Sequence, residues 1–169
     1  MSDKEQVIKE KVINTGIFNY PAVYSYMYDW FKIQEGYGVT EERYSEKVSG
    51  NSRNIEAKWI IGKKISDYFK MDFTLEFDVK DLTDVEVEID GVKKKMNKGK
   101  ITIELKGYLT KDVESKWDVS PMYRFMRDFY NKYIVPNRVE NMQDKIIADT
   151  KKFLADVKMF LDVVGKKPY

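Results

Sequence analysis

Carboxylates recur at every second position in Asp84, Glu86, Glu88 and Asp90, a pattern suited to general acid–base catalysis or to a hard cation. On an extended chain that period puts all four on one face, and Lys93, Lys94 and Lys95 follow just beyond a two-residue turn. The plainer reading is the solvated face of a hairpin. Lys93, Lys94, Lys95, Lys98 and Lys100 form a basic cluster that suits weak contact with phosphates, RNA or an anionic membrane surface. It has neither arginines nor a stacking aromatic beside it, so nucleic acid is disfavoured as a partner. A third cluster is Tyr24, Tyr26, Tyr28, Trp30 and Phe31, which would suit a stacking platform. Tyr24, Met27 and Phe31 share one helical face and read as core. Tyr26 and Trp30 read as pointing elsewhere, which makes Trp30 a surface-contact candidate alongside Lys93, Lys95, Lys98 and Lys100.

Other chemistry is removed by composition. The chain has 0 His and 0 Cys, so disulfides, thiol nucleophiles, imidazole bases and the common zinc, copper and haem ligands are all absent. Only Asp, Glu, Lys, Tyr and Ser remain, and no constellation of them stands out. Gly36-Tyr37-Gly38 lacks the third glycine of a phosphate loop, and Ser120 has no base partner and reads as a helix cap. The sequence therefore predicts no catalytic residue, no cofactor and no bound metal, and ranks an enzyme third, behind a binding module and an interaction or structural protein.

At 169 residues the chain has the length of one domain, 1–169, divided into a strand and short helix over 6–36, a meander over 39–112 and C-terminal helices over 120–164. A net charge of +2 names no partner. The first residues are polar, and nowhere do about 18 apolar residues run together, so no transmembrane segment is expected and the cytoplasm is the expected location.

Period-two alternation marks the sheet that must position these groups. Phe69, Met71, Phe73, Leu75, Phe77 and Val79 alternate with polar residues, as do the runs 55–61, 85–89 and 101–109. Asp90-Gly91 is a preferred hairpin turn, and it pairs Ile89 with Val92, Glu88 with Lys93, Val87 with Lys94, Glu86 with Lys95 and Val85 with Met96. Lys94 then shares the apolar face. Asn97-Lys98-Gly99 reads as a further turn, and residues 39–48, charged on both faces, as an edge strand. The total is about six antiparallel strands. Asn19 and Pro21 open a short aromatic helix that ends at Gly36. Ser120-Pro121 opens another, with Met122, Phe125, Met126, Phe129, Tyr130 and Tyr133 as its stripe, and Pro136 ends or kinks it. A long helix over 138–164 carries a wide stripe from Val139 through Met142, Ile146, Phe153, Val157 and Phe160, with Gly165 as its cap. The expected fold class is α+β: a curved antiparallel sheet, a short N-terminal helix, an extra helix after the last strand, and a long C-terminal helix packed on the sheet.

In element order, from the strand at residues 6–13 and the helix at residues 19–29 through the meander to the helix at 138–164, the chain resembles the helix-grip superfamily, which includes the START lipid-transfer domains. The resemblance carries no diagnostic motif. It implies a sheet wrapped around the final helix and a hydrophobic or amphipathic small molecule held between them. Trp59, Phe73, Phe77 and Met142 are the expected lining, with Lys94 at the rim. The extra helix over 121–135 departs from the family pattern, and its aromatics are placed to plug such a pocket. The alternative is an interaction or structural protein with a filled core, which binds a protein, ribosomal or nucleic-acid partner through exposed aromatic or lysine-rich surface.

Overall fold

The computed structural model describes residues 3–66, 68–111, 121–122, 125–126, 129, 132 and 135–166. The elements run β1 (Asp3–Phe18), α1 (Tyr20–Asp29), a π-helical turn (Trp30–Gln34), β2 (Gly38–Ser49), β3 (Ser52–Lys64), β4 (Phe69–Ile89), β5 (Val92–Lys111) and α2 (Val135–Lys166). The strands form an open antiparallel sheet of five in the order β1-β5-β4-β3-β2. Both helices pack on one face of it, and α2 lies across β1 and β5.

Alternation decides which face is covered. Every odd position of β4 from Phe69 to Val79 is buried, as are Ile55, Ala57, Trp59 and Ile61 of β3 and Ile101, Ile103, Leu105 and Leu109 of β5. Asp90 (φ 53°) and Gly91 (φ 78°) take the left-handed conformations that a two-residue hairpin turn demands. The register is Ile89↔Val92, Glu88↔Lys93, Val87↔Lys94, Glu86↔Lys95 and Val85↔Met96, the pairing expected from those two residues.

The strand count differs from the expected six. Residues 69–79 and 85–89 belong to the single strand β4, and β5 runs unbroken from Val92 to Lys111, so Asn97-Lys98-Gly99 is not a turn. The cause is a bulge between Lys80 and Thr83, where Asp81 takes φ 54° and the strand gains one residue over its partner. Gly99 permits the close approach there, since an added Cβ would stand 3.0 Å from the Lys80 carbonyl oxygen. The extra residue reverses the alternation. Leu82, at an even position, is fully buried, and Val85, Val87 and Ile89 fall on the sheet face opposite Phe77 and Val79.

Asn19 caps α1, its side-chain oxygen accepting from the Ala22 N–H at 3.1 Å, and Pro21 occupies the first turn. Val23, Met27, Trp30 and Phe31 of α1 and the π-helical turn are wholly buried. Trp30 is therefore core and not surface. It follows Val23 by seven residues and Met27 by three, steps that return to the same helical face. The long helix buries Ile146, Phe153, Leu154, Val157 and Leu161, with Val139, Met142 and Phe160 half-buried beside them. It extends to Lys166, so Gly165 lies within its last turn rather than beyond it, and Pro136 falls in its first turn, where no backbone N–H is required. Of the helix expected over 121–135, residues 121, 122, 125, 126, 129 and 132 are helical; the remainder up to Val135 lies outside the described residues. No helix among the described residues is long and apolar enough to cross a membrane.

Candidate functional site

Sheet and helices meet in a layer of aromatic rings. Trp59 and Phe77 lie edge to face with centroids 5.4 Å apart, and Tyr24 of α1 meets Trp59 at 5.1 Å. Phe73 is covered by Phe31 at 5.8 Å and Tyr37 at 5.4 Å. Phe153 of α2 closes on Phe31 at 4.6 Å and on Trp30 at 5.1 Å. Trp59, Phe73 and Phe77 are thus brought together at no more than 2% exposure, and side chains of this chain occupy the space against their rings. Met142 packs half-buried at the margin of the same core.

Three polar tethers stitch the layer, and none was anticipated in the sequence. Glu41 Oε2 accepts from the Trp59 indole N–H at 2.9 Å and from the Tyr24 hydroxyl. Asp156 Oδ2 accepts from the Trp30 indole N–H at 3.0 Å, and Asp149 Oδ2 from the Tyr37 hydroxyl at 2.9 Å, with Lys145 Nζ 3.1 Å from the same oxygen. Indole and phenol donors buried in an apolar layer need such acceptors. Burial, and then the neighbouring Asp149, pushes the Tyr37 phenol well above its usual range; burial, and then the Tyr44 hydroxyl bond, does the same to Tyr20. Burial and the Glu41 bond likewise raise Tyr24. These phenols are held neutral, which suits structure rather than proton transfer. Among the described residues no group of three or more carboxylates is arranged to hold a metal ion.

The outer face is charged. Lys93, Lys94 and Lys95 are exposed on the hairpin, with Glu88, Val87 and Glu86 directly across. Because of the bulge, Lys94 stands on the sheet face away from Trp59, Phe73, Phe77 and Met142, and the fold does not bring it to them. The carboxylates separate in role: Asp84 accepts from Asn97 Nδ2 at 2.8 Å and lies 3.3 Å from Arg53 Nη2, while Asn97 Oδ1 accepts the Tyr20 N–H at 2.9 Å. That chain ties the base of the hairpin to the start of α1. Lys98 and Lys100 are exposed nearer the bulge. Exposed apolar side chains recur at helical spacing in Met122 (73%), Phe125 (70%), Met126 (46%) and Phe129 (52%), and others are scattered, among them Ile33, Val48, Val92 and Met159.

No protein-family model matches the sequence, and no curated protein is recognisably similar to it.

Proposed function

We propose that the chain is a non-enzymatic interaction module that engages a protein partner through its surface, rather than a carrier enclosing a hydrophobic ligand. The observation that carries this reading is the pairing of packed interior rings with exposed apolar side chains at Met122 and Phe125. The rings expected to line a pocket are packed against Tyr24, Phe31 and Tyr37, while Met122 and Phe125 are mostly exposed. Exposed Met and Phe at helical spacing are well suited to a protein surface, since both residue types are enriched where interfaces bury their centre. The order of strand, helix, antiparallel strands and long final helix supports reading the fold as a helix-grip variant whose grip is filled by its own side chains.

Gentle purification of wild type and of Phe125→Asp from the native host tests the proposal. We expect a discrete protein partner to accompany the wild type and to be lost from the variant, with circular dichroism unchanged. Equal recovery of the same partner by both would overturn the assignment of the stripe.

A further inference from the structure

We propose that the outer face of the sheet carries a phosphate-binding groove at the β4–β5 bulge, built by Lys80, Lys98 and Lys100. This goes beyond the protein-docking stripe and does not depend on it. Lys80 and Lys100 are direct cross-strand partners, and both project away from the core because their neighbours Val79 and Ile101 are wholly buried. Like charges directly opposite one another destabilise a sheet. Lys98 adds a third ammonium on the same face, two residues along β5. All three are exposed, and none forms an ion pair with a described residue.

Between them lies a concavity of about 380 Å³ bordered by Thr15, Gly16, Asp81, Thr83 and Gly99. Thr15 pairs with Lys100 and Thr83 with Lys98, so both hydroxyls sit on the lysine face. Gly16 and Gly99, paired across β1 and β5, line the groove with backbone alone. Three ammonium groups against the single carboxylate of Asp81 leave the groove net positive. Ammonium point charges and the Thr15 hydroxyl match the oxygens of a phosphate, while the Thr83 hydroxyl donates to the Lys98 carbonyl at 3.4 Å. The volume exceeds one phosphate, which favours a diphosphate or a phosphate ester with a polar body. Lys93, Lys94 and Lys95, by contrast, do not line this concavity, and two of them face glutamates.

Calorimetric titration of the full chain with inorganic pyrophosphate, at an ionic strength of about 0.01 M where screening reaches about 30 Å, tests the site. We expect saturable binding that weakens at least about tenfold, or about 1.4 kcal/mol, in Lys80→Gln/Lys100→Gln, and stays within about twofold in Lys93→Gln. The double variant should also unfold in urea no earlier than wild type, because it relieves a like-charge pair. Absence of saturable binding, equal affinity in the double variant, or the same loss in Lys93→Gln would overturn the proposal. Sedimentation with phosphatidylcholine vesicles, with and without phosphatidylinositol 4-phosphate, identifies the source. Association only with the phosphoinositide vesicles, competed by pyrophosphate, assigns a lipid headgroup; pyrophosphate binding without vesicle association assigns a free phosphate compound.

Discussion

Gly107 of β5 lies so close beneath Ile146 of α2 that a Cβ added at Gly107 would collide with the Ile146 Cγ2 methyl, with Ile8 Cγ2 3.2 Å and Phe73 Cε1 3.4 Å away. The long helix therefore seats directly on the sheet backbone at this point. Gly107→Ala should destabilise by about 1–3 kcal/mol through overpacking, read from the urea midpoint. Ile146→Ala in the same chain removes the Cγ2 methyl that the new Cβ meets, so the double variant should lose less stability than the sum of the two single losses. A Gly107→Ala variant as stable as wild type would show that the helix stands further from the sheet.

Phe153 is the centre of the helix side of the core, fully buried against Trp30 and Phe31. Phe153→Ala should cost about 3–5 kcal/mol in equilibrium denaturation. A loss below about 1 kcal/mol would contradict the packing around α2.

Much of this architecture is legible in the sequence because alternation and turn chemistry are local. Asp90-Gly91 determines a register that then extends pair by pair, and the stripe from Val139 to Phe160 announces a buried face. The bulge is harder to read. It erases the period for three residues, so β4 and β5 each look like two strands, and Lys80 is left out of a basic cluster that its partner Lys100 visibly joins. Trp30 misleads for a different reason: a +3 step from Met27 is as good as +4, and only the +4 series is obvious by eye. The acceptors Glu41, Asp149 and Asp156 leave no local trace, since Asp156 and Trp30 are 126 residues apart.

The hairpin turn makes its own prediction. Gly91 has φ 78°, a conformation that carries a penalty for any residue with a Cβ. Gly91→Ala should destabilise by about 1 kcal/mol, while Asp90→Asn should be neutral or slightly stabilising. Amide exchange in residues 85–96 should rise in the first variant alone. Equal exchange in both variants would argue against a turn with positive φ at Gly91.

Alkaline pH should weaken the fold. Tyr20 and Tyr37 are held above the ordinary tyrosine value in the folded state, chiefly by burial, so the neutral phenol is the form the fold prefers. Their contribution is complete below the unfolded value of about 10 and is lost as pH rises beyond it. The urea midpoint should be flat up to about pH 9 and fall by about pH 11, with tyrosinate absorbance from these residues appearing only on unfolding. Tyr37→Phe should flatten the decline, and an unchanged slope would remove Tyr37 from it.

Native mass spectrometry of the freshly purified chain addresses the filled interior most directly. A filled interior should give the mass of the polypeptide, alone or with a protein partner, and no small apolar molecule retained at any gentle activation energy. A stoichiometric lipid-sized adduct that survives in Phe125→Asp but is displaced when Ala57, buried between Trp59 and Ile55 on β3, is enlarged to Leu would place a ligand inside the sheet–helix layer and contradict it.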